Sequence, residues 1–468
     1  MHKKSTSNWF FSALAPALWA VANVAGAQSG SVAVKPSVNQ FPERICNVRE
    51  HGASGTRIWF DTQAFQAAID TCAKAGGGTV LVPRGEWLIE PITLRSNIRL
   101  QIDRGAEVLG ATDPKLFPEG ERSALINIRD ANNVAIVGEG LIDGQGAVWW
   151  ERIRGIWRSD PSFARDGQAR QQQKDDRPRL ILAMNSSNLR FEGVRIENSP
   201  SFHLVLDNCE HVTIDRVKIT APAHGPNTDA IDPINSRHVL ITNNVISVGD
   251  DVVAIKSERP DKKYPDAVSA DIVIAGNTIV AGRGICIGSA TTGGVQRVHV
   301  ENNSFTGSMY GLRIKSRRGK GGVIRDVTFA NNRLTDVETP LVFTGYYEYR
   351  PLDIQQARKQ LSAGGFLLGN QIWPGPDDAT RPYVHDQTPE MANITVSGLT
   401  ATGADLAGVI VGLPERAIRN FQLRDIRIDA KRGLLVRHAD VAIQSVKINS
   451  ASGPAIRTEQ GGKLSGDS

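Results

Sequence analysis

One dense group of carboxylates in the chain is spaced for acid–base chemistry. Asn227-Thr228-Asp229 is followed by Asp232 and then by Gly249-Asp250-Asp251, with Asp229 and Asp250 21 residues apart. Carboxylates gathered in one patch repel one another, so at least one is held protonated above its ordinary pKa. A protonated acid beside carboxylates that stay ionised is what cleavage of a glycosidic bond requires. A GDD by itself also fits a solvated acidic turn or a Ca²⁺ site, so the spacing to the second acidic motif has to carry the argument. Farther on, Arg313-Ile314-Lys315 points two cations to the same side of a strand. That twin cation suits a substrate carboxylate, although Arg317, Arg318 and Lys320 beside it also allow a solvated basic strand.

The elements that must position these residues form a repeat. Short runs of alternating apolar and polar residues recur around Val134, Leu189, Val212, Val239, Ile272, Val298, Val327, Ile394, Phe421 and Val441. From Leu189 to Val327 the successive anchors lie 23, 27, 33, 26 and 29 residues apart. Period-two alternation marks strands. A repeat of this length marks a solenoid, in which each unit buries its apolar face only against its neighbours. Asn243-Asn244, Gly276-Asn277, Asn302-Asn303 and Asn331-Asn332 fall where the strands turn. They suit left-handed backbone and side-chain ladders between coils. The expected fold is all-β, a right-handed parallel β-helix with a short N-terminal capping helix. On this fold a spacing of 21 residues is about one coil, which brings Asp229 and Asp250 to the same face of adjacent rungs, separated by roughly one strand spacing (~4.8 Å) plus side-chain reach.

The capping helix is expected in DTQAFQAAIDTCAKAGGG, with Phe65, Ala68, Ile69 and Cys72 on one face. Asp61 is its N-cap and Gly76 to Gly78 its stop. Residues 153–178 and 345–388 interrupt the repeat and are expected as loops projecting from it. At the N-terminus two lysines precede an apolar run that ends in Ala25-Gly26-Ala27, the layout of a secretory signal peptide spanning 1–27. A linker over 28–42, the β-helix over 43–455 and a polar tail over 456–468 complete the expected organisation. The chain is expected to be exported, to the periplasm or beyond.

Hydrophobic residues make up 40% of the 468, enough for a large core, and a net charge of +5 fits an acidic polymer without identifying one. No basic run interleaved with aromatics suggests nucleic acid, and no further window reaches membrane-spanning length. Four cysteines without a CxxC pair exclude a disulfide framework as the basis of the fold. They are expected mainly as buried thiols, with one or two bridges open.

NTD, GDD, the segment Gly282-Arg283-Gly284-Ile285-Cys286-Ile287-Gly288-Ser289 and RIK occur in that order. This resembles the polygalacturonases of glycoside hydrolase family 28. GGGTVLVPRGEWLIEPITLRSNIRLQIDRGAEVLGATD, GLIDGQGAVWW and RPRLILAMNSSNLRFEGVRIENSPSFHLVL extend the likeness over most of the chain. The resemblance implies an inverting hydrolase of galacturonate-containing pectic polysaccharide. Asp250 is then the general acid, and Asp229 and Asp251 are the carboxylates that activate water. Acid and base are expected roughly 6.5–9.5 Å apart. Arg313 and Lys315 would bind the galacturonate carboxylate, Asn227 would orient the site, and Tyr346 or, preferentially, Tyr347 would contact sugar. No metal or organic cofactor, nucleic-acid partner or membrane is implied, and a monomer is expected. Arg283 stands where the family carries histidine. It is expected either to lower the pKa of the acid or to bind a second substrate carboxylate, and a rhamnogalacturonan or exo-acting specificity stays open. The competing readings are a pectate lyase and a non-catalytic β-helix that binds carbohydrate.

Overall fold

The computed structural model describes residues 34–117, 122–159, 177–260, 265–347, 366–368, 371–373, 380–384 and 387–467. Strand follows strand in a right-handed parallel β-helix. Among the described residues the only antiparallel strand pair is the ribbon of Phe366–Leu368 with Gln371–Trp373. Each coil contributes strands to three stacks. One stack runs through Asn132–Gly138, Ser187–Glu192, Glu210–Asp215 and Arg237–Thr242. A second runs through Leu141–Asp143, Arg195–Glu197 and Lys218–Thr220. The third runs through Arg179–Met184, Leu204–Asp207, Ile231–Ile234, Val253–Ser257, Ile285–Thr291 and Tyr310–Lys315.

The anchors read from the sequence form one column. Val134, Leu189, Val212, Val239, Ile272, Val298, Val327, Ile394, Phe421 and Val441 pair each with the next in register. All ten are buried, at about 1.5–3 kcal/mol for each such side chain taken from water. The turns after this stack are built as expected. Asn243, Gly276, Asn302 and Asn331 have φ between 54° and 67°. The next residue of each pair points inward: the amides of Asn244, Asn277 and Asn303 each donate to the Oδ1 of the following ladder member at 2.9–3.0 Å. The backbone N–H groups of the same three residues donate to the same oxygens at 2.9–3.1 Å. Buried turn donors are thus satisfied without water.

At the N-terminal end the capping helix spans Thr62–Lys74 and buries Ala64, Phe65, Ala68, Ile69 and Cys72. Asp61 occupies the N-cap position but does not cap with its side chain. Its carboxylate instead accepts the backbone N–H groups of Ser54 and Gly55, at 2.6 and 3.1 Å. Cys46 and Cys72 are joined in a disulfide that ties the helix to the first coil. This corrects the expectation for those two residues, and Cys209 and Cys286 are buried free thiols.

Other boundaries also shift. The described part of the presumed linker is packed on the coils: Ser37 N–H donates to Thr213 Oγ1 at 2.7 Å, and the Asn39 amide donates to the Asn188 carbonyl at 2.8 Å. The presumed tail is structural too, because Gly462–Asp467 pairs with the strand Ala439–Thr458 and continues the stack past residue 455. A second helix, Gly146–Ser159, enters the stretch expected to be a loop from residue 153. It buries Trp149, Trp150 and Ile153. Trp149, Trp150, Ile153, Ile156 and Trp157 stand at helical spacing, a signal the sequence carried and the search for strands passed over. The rest of the expected loop 153–178 lies outside the described residues, apart from Arg177 and Pro178, as does most of 345–388. The 1–27 segment lies wholly outside them. Among the described residues no helix is long and apolar enough to cross a membrane.

Candidate active site

Leu204, Ile231, Val253, Ile285 and Leu312 stack one on the next with their side chains in the core. The site can be counted from them. Two residues earlier stand Phe202, Asp229, Asp251, Arg283 and Tyr310. One residue later, turned from the core, stand Val205, Asp232, Ala254, Cys286 and Arg313. Three residues later stand Asp207, Ile234, Lys256, Gly288 and Lys315. The rung partner of Asp229 is therefore Asp251, and Asp250 sits beside that column. The expected one-coil pairing with Asp250 is off by one residue, because the coil between the two motifs is 22 residues long, counting Ile231 to Val253.

Local packing locks the two acidic motifs together. The Thr228 hydroxyl accepts the Gly249 N–H at 3.0 Å and donates to the Gly225 carbonyl at 2.8 Å. A Cβ on Gly249 would stand 2.6 Å from the Gly225 carbonyl oxygen, so only glycine opens the GDD turn. Asn227, at φ 58°, accepts from the buried Arg177 guanidinium at 3.0 Å. Arg177 also donates to the carbonyl of Pro226. His203 braces the backbone from below, its Nδ1 3.0 Å from the Asp229 carbonyl and its Nε2 accepting the Ser199 N–H. Burial lowers its pKa to about 4, so it is a neutral strut.

Asp229, Asp250 and Asp251 turn carboxylate oxygens to within 4.8 Å of one another. This closest approach is tighter than the separation of roughly 6.5–9.5 Å expected for an acid and base acting by inversion. Their ionisation is divided by their partners. Burial pushes Asp250 up to about 7, with Asp229 and Asp251 adding to it; Arg283, 3.2 Å away, opposes the rise. Arg283 therefore acts in the direction expected and is outweighed. Asp229 is also raised to about 7, by burial and then by Asp232, against Lys256. Asp251 is the exception. Burial works against its charge, but Lys315, ion-paired with it, and Arg313 hold it below the usual carboxylate range. The Cys286 thiol adds a contact to Asp251 Oδ1 at 3.3 Å. One carboxylate is thus firmly ionised beside two that are easily protonated, the division that acid–base cleavage needs.

The two cations of RIK have different surroundings. Lys315 is committed to Asp251. Arg313 is only 5% exposed, and among the described residues no carboxylate lies within ion-pair distance of it. Its Nε is buried without a hydrogen-bond acceptor. Its guanidinium lies 4.2 Å from the Tyr310 ring centre and 5.3 Å from that of Tyr347. A buried, unpaired guanidinium between aromatic rings is a site for an incoming anion.

The sequence profile of Glycosyl hydrolases family 28 matches residues 72–361, more than half the chain. The chain belongs to that family. It is 31% identical over 321 residues to a probable polygalacturonase of Arabidopsis thaliana, covering 67% of this chain and 63% of the relative, less than two thirds of its length. It is 32% identical to an endo-polygalacturonase of Pectobacterium carotovorum subsp. carotovorum, over 61% of this chain and 72% of the relative. The crystal structure of a hyperthermoactive exopolygalacturonase from Thermotoga maritima superposes with a TM-score of 0.72 at 25% identity, covering 89% of this chain and 94% of that one.

Within this family 28 chain, of the two tyrosines expected to contact sugar it is Tyr347 that stands beside both cations, its ring 5.2 Å from Lys315 Nζ. Tyr346 is buried in an apolar cluster with Val342, Val409 and Leu413, and its ring lies 5.5 Å from the Arg318 guanidinium. The sequence reading passed over Lys256, Phe202, Tyr310, Cys286 and the struts Arg177 and His203. Lys256 lies on the rung after Asp232, two residues beyond Asp232's register partner Ala254 and on the same side of the strand. The others contribute through contacts that strand periodicity does not encode.

Proposed function

We propose that the chain is a secreted hydrolase of galacturonate-containing pectic polysaccharide that works by an inverting acid–base mechanism. The observation that carries this reading is the unpaired, buried Arg313 guanidinium set beside a carboxylate triad of divided ionisation. Asp250 donates its proton to the leaving glycosidic oxygen. The ionised Asp251, with Asp229, takes the proton of the attacking water. Arg313 takes the galacturonate carboxylate, Lys315 keeps Asp251 charged at the edge of that subsite, and Tyr347 walls it. The family supports hydrolysis of pectin, and its named relatives include both endo- and exo-acting enzymes. Export is supported by the N-terminal pattern and by the Cys46–Cys72 disulfide, a bond that persists in oxidising compartments.

The test is incubation with polygalacturonate and with rhamnogalacturonan, following reducing ends and the anomeric configuration of the new end by proton NMR. Inversion is expected. Retention would show that the close carboxylate spacing reports a nucleophile. An unsaturated, ultraviolet-absorbing product, with activity lost in EDTA, would establish a lyase. No release from either polymer would establish a binding module. The product lengths from a defined oligogalacturonate distinguish exo from endo action.

A further inference from the structure

Behind the triad lies a buried ion pair with no part in the chemistry above. Lys256 leaves the strand Val253–Ser257 one rung beyond Asp232 and is ion-paired with it. The Asp232 side chain is fully buried and that of Lys256 is 16% exposed. The same Nζ lies 3.5 Å from Asp229 Oδ2 and 4.4 Å above the Phe202 ring. Arg179 stacks on that ring as well, at 3.9 Å. Asp229 Oδ1 and Asp232 Oδ2 are both buried with no hydrogen-bond partner among the described residues. A buried ion pair seldom repays its desolvation in stability. Its position against a reacting carboxylate gives it another use.

We propose that Lys256 is a positioning residue of the hydrolytic site, a fixed cation behind Asp229 that keeps this carboxylate aimed and opposes its protonation without touching substrate. The proposal rests on the hydrolytic reading above. Asp232, Asp229 and Asp251 crowd one another, and three carboxylates this close cannot all ionise without cations. Lys315 serves Asp251, and Arg283 serves Asp250 from the solvent side. Lys256 is left to serve Asp229 and Asp232, with Arg179 also attracting Asp232. Burial opposes the charge on Lys256, but Asp232 and Asp229 overcome it and hold the ammonium above the usual lysine range. The groups that face Asp229 are therefore Asp232, Lys256, Asp250, Asp251 and Lys315, with neutral His203 behind its backbone.

The sign follows from these neighbours. Lys256 lowers the pKa of Asp229 and Asp232 raises it. A base works deprotonated, so losing Lys256 moves the acidic limb of kcat/KM to higher pH, by about 1–3 units. The experiment compares Lys256→Met, Lys256→Arg, Asp232→Asn and the double variant Lys256→Met with Asp232→Asn, each checked by its melting temperature. In the double variant both charges are gone, so the limb is expected to return toward the wild-type position. The arginine variant is expected to hold it there. A limb that stays in place in Lys256→Met while KM rises would overturn the proposal and assign Lys256 to substrate contact. Infrared difference titration of the buried carboxylates, without substrate, reads the same ionisation. It is expected to show carboxyl protonation at higher pH in Lys256→Met and not in the double variant; identical titrations would also overturn the proposal. Should the wild type release no reducing ends, the hydrolytic reading fails and the infrared arm still decides what Lys256 does to the pair.

Discussion

Replacing Arg283 by methionine takes one cation away from the general acid and leaves the triad in place. The guanidinium stands 3.2 Å from the Asp250 carboxylate and is 44% exposed. Two unit charges at that distance attract by about 1.3 kcal/mol in bulk water and about 5 kcal/mol at an effective dielectric constant of about 20. A group this exposed belongs near the lower figure, about 1–2 kcal/mol, or about one pH unit. Arg283 draws the pKa of Asp250 down and burial, Asp229 and Asp251 push it up, so removing Arg283 raises it further above about 7. An acid catalyst works protonated. The alkaline limb of kcat/KM on polygalacturonate should therefore move up by about one unit, with the acidic limb unmoved. Arg283→His should move it the same way, since imidazole is neutral at the alkaline end. Reducing-end release across the pH range, at substrate well below KM, is the assay. An alkaline limb that stays in place while KM rises several-fold would refute this argument and make Arg283 a second contact for substrate carboxylate.

Arg313→Ala should lower kcat/KM on polygalacturonate by about 10- to 100-fold, mainly through KM, because a charge-assisted hydrogen bond is lost; initial rates against substrate concentration check this. Cys46→Ala with Cys72→Ala should lower the unfolding free energy by about 3 kcal/mol, since the bridge closes a loop across 26 residues, as read by urea denaturation against the oxidised wild type. Asn303→Ala should cost about 3 kcal/mol, because both Asn277 donors then face a buried gap, and the denaturation midpoint should fall without loss of strand circular dichroism.

The β-helix was legible in the sequence because a solenoid writes its core locally. Each coil repeats an apolar anchor, and a repeated anchor can only be buried by stacking, so Val134 to Val441 fall in one column as read. The Asn pairs were legible for a related reason: φ near 55° restricts the residue type at the turn, and the buried position after it needs a side chain that both donates and accepts. Spacing brought Asp229 and Asp250 to one face of adjacent rungs, and alternation put Arg313 and Lys315 on one side of a strand; that the two groups share a site was what the family resemblance implied.

Only the tertiary structure decided how that face works. Coil length varies from rung to rung, so one residue of offset made Asp251 the rung partner of Asp229. Which lysine serves which aspartate depends on side-chain reach across rungs, and this commits Lys315 to Asp251 and leaves Arg313 open to an anion. The disulfide was out of reach because pairing depends on two Cβ atoms meeting in space. Asp250 was a carboxylate of interest from its motif alone. Its elevation to about 7 comes from burial and from neighbours that converge on it through the fold.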